Sequence, residues 1–170
     1  MPKAIMFVEA AFHDAEALYP YYRMQEAGYK VDIVAPVKGA VYTGKFGYPL
    51  TADLSPEDVK LDEYDVIIIP GGHAPDRMRL STGLVTLVKE AHAKGKVVAG
   101  VCHGPQMLIE ADLLRGRKVT CCKQLVTDVR NAGAVFVDAP AVSDGKLVSS
   151  RTPADLPDFC KEILRILEKA

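Results

Sequence analysis

Lys96-Val97-Val98-Ala99-Gly100-Val101-Cys102-His103-Gly104-Pro105-Gln106-Met107-Leu108-Ile109-Glu110 decides how this chain is read. Its first part is short, apolar and β-branched, the pattern of a buried parallel strand. Its last part carries Met107, Leu108 and, one residue on, Ala111 in a helix-forming run. Cys102-His103-Gly104 alone separates the two, so the chain turns sharply there. Gly100-Val101-Cys102-His103-Gly104 has the form of a nucleophile elbow with sulfur in place of a serine oxygen. A side chain at either glycine is expected to crowd the residue on the tip, which such turns hold in a rare backbone conformation. The thiol then stands at a helix N-terminus, where the dipole favours a thiolate at neutral pH. A buried structural cysteine is the competing reading. A core cysteine has no need of glycine on both sides of a strand-to-helix turn.

Outward from this stretch, strands alternate with helices. Lys3 to Glu9, Val31 to Ala35 and Val66 to Ile69 read as strands, and Val41 to Tyr48 as a small glycine-turned hairpin. Asp14 to Ala27 and Leu84 to Ala93 read as helices closed by Gly28 and Gly95. Ser55-Pro56 opens a short helix. Beyond the elbow, Val119-Thr120 and Val135 to Val137 read as short strands around a helix from Leu125 to Ala132. Ala141 to Ser150 is a strand region bent by the Asp144-Gly145 turn. The last helix opens at Thr152-Pro153, with Leu156, Phe159, Cys160, Ile163, Leu164 and Leu167 on one face. This alternation predicts an α/β fold: a mostly parallel sheet with helices on both faces. Ligands bind beyond the carboxyl ends of such strands. That rule gathers Ala10 to His13, Gly71 to Asp76, Cys102 to Gly104 and the segment before Val126.

The chain has 170 residues, the size of one domain able to bury about 70% of its unfolded surface. Its formal net charge of -1 gives no basic footprint for nucleic acid or an anionic membrane. No apolar run reaches the ~20 residues of a membrane span. Met1-Pro2-Lys3 leads into a strand-like run without a signal-peptide cleavage pattern. Four cysteines without a regular framework fit a reducing compartment, so a cytoplasmic location is expected. No C-x-x-C or H-x-x-x-H pattern points to a metal. No G-x-G-x-x-G follows a strand, so no nucleotide site is expected.

Several residues are candidates to assist Cys102. His103 follows it directly and offers proton transfer. No histidine occurs after His103, which excludes a triad that recruits a downstream one. Gly71 and Gly72 end a strand, and their N–H groups, with that of His103, are candidate oxyanion donors. Glu16, in the first turn of a helix, is either a solvated acid favoured by the dipole or a carboxyl group reaching the sulfur. His13 is placed at the mouth. Cys121 and Cys122 read as core or wall, with redox chemistry a minor alternative.

Beyond these readings, the chain resembles the intracellular protease PfpI family, in the superfamily of the Parkinson-disease-associated protein deglycase. The resemblance spans nearly the whole chain. It is carried by Ala99 to Gln106, Ile69 to Asp76, Leu114-Arg115-Gly116-Arg117, Thr43 to Tyr48 and Val148 to Leu156. It implies one flavodoxin-like domain over residues 1–170, of the class I glutamine amidotransferase-like kind. It implies that Cys102 is the nucleophile, that Glu16 supports it, and that His103 pairs with an acid of a neighbouring subunit, which falls on Asp76. Close relatives carry glutamate there, one methylene longer, and an acidic residue where this chain has His13. Tyr48, in the matching hairpin, joins His13 as a candidate substrate contact. The resemblance further implies a homo-oligomer, dimer or hexamer, with the site near an interface, and no cofactor. The expected function is that of a cysteine-dependent glyoxalase or deglycase acting on methylglyoxal, glyoxal and their adducts. A PfpI-type peptidase or amidase acting on small peptides is one alternative. A stress-response redox sensor or holdase using oxidation of Cys102 is another.

Overall fold

The computed structural model describes residues 1–169. Its elements follow the expected alternation. They are β1 (Lys3–Phe7), α1 (Asp14–Glu26), β2 (Lys30–Val34), β3 (Val41–Thr43), β4 (Pro49–Thr51), β5 (Val66–Ile69), α2 (Ala74–Met78) and α3 (Thr82–Ala93). Then come β6 (Val97–Val101), α4 (Gln106–Glu110), β7 (Lys118–Val119), α5 (Val126–Asn131), β8 (Val135–Phe136), β9 (Ala141–Asp144), β10 (Leu147–Ser150) and α6 (Leu156–Glu168).

A six-stranded sheet runs β2-β1-β5-β6-β10-β9. Its pairs are parallel except β9 with β10. The central strands are Val66-Ile67-Ile68-Ile69 and Val97-Val98-Ala99-Gly100-Val101, and every residue in them is buried. Strands with no polar alternation need cover on both sides, and helices supply it. On one side α1 packs against α6; on the other α3 lies against β5 and β6 with α4 beside it. The Asp144-Gly145 bend is a true hairpin, with Gly145 at φ +59°, and it makes β9 the antiparallel edge. In α6 the buried line is Leu156, Phe159, Cys160, Ile163 and Ile166. Leu164 and Leu167 are half-buried flanks of the same core rather than its centre.

Three local differences from the sequence reading matter. The segment after Gly72 is not all loop: Ala74–Met78 forms a helix of little more than one turn, with Pro75 at its start. The hairpin strands are shifted outward, with residues 44–48 forming the tip. That tip is held by Asp14, whose carboxylate accepts the N–H groups of Phe46 and Tyr48, both at 2.9 Å. Gly44 is required there because a Cβ would stand 2.6 Å from the Asp14 carboxyl carbon. Finally, α4 begins at Gln106 with Pro105 as its cap, so Cys102 precedes it by a whole turn.

The elbow glycines answer to close backbone approach. A Cβ on Gly104 would run into the Ile69 carbonyl oxygen of β5 and lie 2.8 Å from Val101 N. A Cβ on Gly100 would lie 3.0 Å from the Gly104 carbonyl carbon. The crowding therefore falls on the strand ends and the turn backbone, not on the tip residue as the sequence suggested.

Candidate active site

The carboxyl ends of β1, β5 and β6 carry the functional groups. Cys102 sits just past β6 at φ +61°, a left-handed conformation that a non-glycine residue adopts at a cost of about 1–3 kcal/mol. Its N–H donates to Ser150 O at 3.0 Å, which ties the tip to β10. Its side chain opens into a cavity of about 390 Å³ lined by His13, Lys45, Gly72, Cys102, His103 and Cys122, among others.

Glu16 belongs to the site. It has no exposed surface, and its Oε1 accepts the Gly71 N–H at 2.8 Å. Its other oxygen, Oε2, is buried without a hydrogen-bond partner. Burial pushes this carboxyl up to about 7, against the pull of the Gly71 N–H, the His103 charge and the neighbouring Cys102. Glu16 is thus half-protonated near neutral pH, which suits a group that both gives and takes protons. The bond to Gly71 corrects one expectation. That N–H is already donated to Glu16, so it is not available to an oxyanion. The N–H groups of Gly72 and His103 have no backbone or carboxylate acceptor among the described residues. Of the three candidate donors, these two remain, with the His103 N–H directed at the Cys102 sulfur.

Cys122 is the residue the sequence undervalued. It is buried, yet its sulfur lies 3.5 Å from His103 Nδ1, and the Cys102 sulfur lies 3.6 Å from the same nitrogen. Both sulfurs and a His103 nitrogen fall within 4.8 Å of one another. The Cys122 loop is pinned by its own N–H to Cys102 O at 3.2 Å and by Thr120 N–H to Ser149 Oγ at 2.9 Å. The two thiols share one negative charge. The hydrogen bond from Cys102, then His103, brings Cys122 down to about 5. The same hydrogen bond, then burial, then the Glu16 charge, hold the Cys102 thiol up. His103 is raised by its hydrogen bond to Cys122. The expectation that a helix dipole makes Cys102 a thiolate is therefore corrected: α4 starts a turn too late, and ionisation here is shared between the Cys102 and Cys122 sulfurs. No motif marks Cys122, because 19 residues of chain separate it from His103.

Cys102, His103 and Cys122 are also the donor types that hold soft metals. The Cys122 sulfur, however, is 3.5 Å from Nδ1 and 3.7 Å from Nε2 of one ring. It faces the ring rather than one lone pair, and a cation on either nitrogen would require the ring to turn.

The remaining candidates divide. His13 lines the cavity, half-buried, with its edge against Phe46 at 5.3 Å between ring centroids. Burial lowers its pKa. Tyr48 is exposed, pairs with Tyr22 and does not line the cavity. Asp76 is exposed on α2 and is likewise absent from the lining. Lys45 and Thr152 line it without any signal in the sequence that separates them from ordinary surface residues.

The state of Glu16 has a measurable consequence. The unfolded carboxyl loses its proton near 4.5, the folded one near 7, so the folded chain binds more protons between these values. Stability from protonated Glu16 is present below 4.5 and is lost as pH rises through 7. The full effect is about 3 kcal/mol. Denaturant unfolding of wild type and Glu16→Gln across this range is expected to show wild type losing about that much relative to the variant. Parallel pH profiles would contradict it.

Comparisons with known proteins agree with this fold. The DJ-1/PfpI family model matches residues 2–166. A deglycase of Pyrococcus abyssi is 46% identical over 157 residues, covering 92% of this chain and 94% of that one. Protein/nucleic acid deglycase 2 of Escherichia coli is 41% identical over 167 residues, covering 97% of each. Among solved structures, a two-domain protein of Anabaena variabilis with DJ-1/ThiJ/PfpI-like and ferritin-like domains superposes with a TM-score of 0.96 at 40% identity. It covers 99% of this chain and 48% of that one. Drosophila melanogaster DJ-1beta, at 24% identity, shares the fold with a TM-score of 0.89, covering 99% of this chain and 89% of that one. The chain, with a cysteine elbow beside a buried carboxyl on such a sheet, belongs to the DJ-1/PfpI family.

Proposed function

We propose that this chain is a cysteine-dependent, cofactor-independent enzyme of deglycase or glyoxalase type. Its substrates are methylglyoxal, glyoxal and their adducts with amines and thiols. The observation that carries this reading is the Cys102 sulfur on its left-handed turn, beside the buried Glu16 carboxyl, in a cavity that Gly72 and His103 also line. Relatives named deglycases, aligned over more than nine-tenths of the chain, support it.

The chemistry follows from the charges. Transfer of the Cys102 proton to Cys122 leaves the negative charge on the nucleophile. Its sulfur attacks the aldehyde carbon, and the carbonyl oxygen becomes an alkoxide facing the N–H groups of Gly72 and His103. Protonation by Glu16 gives a hemithioacetal. The resulting carboxylate removes the hydrogen from that carbon, and the proton returns to the adjacent carbonyl carbon through an enediol. The product is a thioester. Water hydrolyses it to the 2-hydroxy acid and releases Cys102. Methylglyoxal plus water thus becomes lactate, with no change in overall redox state and no external hydride.

Within one chain His103 faces two sulfurs and no carboxylate of α2. We propose that the protein assembles with copies of itself and that Asp76 of a neighbour meets His103 in the assembly. Replacement by Asp76→Ala is expected to slow turnover; an unchanged rate would remove Asp76 from the site.

Purified protein given methylglyoxal is expected to form lactate, and Cys102→Ala to form none. Absence of lactate from the wild type, with cleavage of a fluorogenic peptide instead, would overturn the assignment in favour of a peptidase. Lactate formed equally by Cys102→Ala would overturn the nucleophile.

A further inference from the structure

The placement of Cys122 suits more than taking the Cys102 proton. Its backbone N–H donates to the carbonyl oxygen of Cys102 at 3.2 Å. That bond holds the two backbones in direct contact, the close approach a disulfide needs. The two sulfurs already share the neighbourhood of one histidine nitrogen, all three atoms within 4.8 Å of one another. Both residues line the same cavity, so an oxidant small enough to enter reaches the more exposed sulfur, Cys102. Neither of the other cysteines shares this placement. Cys121 and Cys160 are buried and do not line the cavity.

We propose that Cys102 and Cys122 form a reversible redox pair, in which Cys122 captures peroxide-oxidised Cys102 as an intramolecular disulfide. The oxidant is a small hydroperoxide. The Cys102 sulfur attacks its terminal oxygen, the O–O bond breaks, and the departing alkoxide takes a proton to leave as the alcohol. Cys102 is then a sulfenic acid. The Cys122 thiolate attacks that sulfur, the S–O bond breaks, and hydroxide leaves as water with a proton from His103. Two thiols and one hydroperoxide become a disulfide, an alcohol and water. A dithiol reductant restores both thiols by exchange. The pair thereby diverts Cys102 from sulfinic acid, a form that thiols do not reduce. While the disulfide stands, the nucleophile is unavailable to carbonyl substrates. The inference requires only that the Cys102 sulfur be reachable, and it stands apart from the carbonyl chemistry.

Peptide mapping without reduction tests it. Wild-type protein is treated with a small excess of hydrogen peroxide, more than about two equivalents, and its remaining thiols are blocked. The expected product is a cross-linked peptide pair containing Cys102 and Cys122, with the protein lighter by two hydrogens and both thiols regained in dithiothreitol. Under the same treatment Cys122→Ser is expected to accumulate sulfinic acid at Cys102, which dithiothreitol does not reverse. Two results would overturn the proposal. One is wild type forming sulfinic acid as fast as Cys122→Ser, with no cross-linked pair. The other is Cys102 linked instead to Cys121, Cys160 or a second copy of the chain. If Cys122→Ser does not fold, the wild-type map decides alone, since the linked pair is present or it is not.

Discussion

The Glu16 carboxyl, with no exposed surface, accepts the Gly71 N–H at 2.8 Å, and the carboxyl edge of the sheet is arranged around that bond. It ties the first turn of α1 to the end of β5. The fit tolerates no side chain: a Cβ on Gly71 would stand 2.5 Å from Glu16 Oε1 and 2.9 Å from His103 N. Glycine at 71 therefore lets a carboxyl on one element meet an elbow on another. The elbow itself closes against β5 through Gly104, whose missing side chain leaves room for the Ile69 carbonyl. Burying an acid this way costs free energy, and that cost appears as a carboxyl pKa raised by desolvation. A carboxyl so placed is useful because its proton is loosely committed at neutral pH.

The second organising feature is electrostatic. Glu16, Cys102 and Cys122 are three groups able to carry negative charge in one partly closed space, with His103 beside both sulfurs, its pKa raised by Cys122. Such groups cannot all ionise together, so their titrations are joined. The two neighbouring sulfurs share one negative charge. Reaction with an electrophile needs only a short proton transfer between neighbours. In the proposed reaction this arrangement lets a cysteine too far from α4 to benefit from its dipole serve as the nucleophile.

Much of this was legible in the sequence, for local reasons. Gly-x-Cys-x-Gly between a β-branched run and a helical run fixes a turn whatever surrounds it, and that turn is present. Buried parallel strands announce themselves by unbroken apolar runs, as in Val66 to Ile69. Glu16 was ambiguous from its own surroundings, since an acid in a first helical turn is ordinarily solvated; only the family resemblance separated the two readings. Contacts that depend on distant parts of the chain were not legible. Gly71 reads as an oxyanion donor from sequence because nothing local reveals that its N–H is donated to a carboxyl 55 residues away. Cys122 read as core or wall because its partner, the Cys102 carbonyl, lies across a loop. Asp76 and Tyr48 are exposed and do not line the cavity, so nothing within a single chain sets them apart from other surface residues.

The central claim is that one shared negative charge makes Cys102 reactive at neutral pH. The most direct measurement is the rate of iodoacetamide labelling against pH, with the labelled cysteine identified by peptide mapping. The account predicts that Cys102 carries the label, that labelling at pH 7 outpaces free cysteine, and that the rate rises well below the ordinary thiol value of about 8.5. A Cys102 labelled no faster than free cysteine at pH 7 would contradict it.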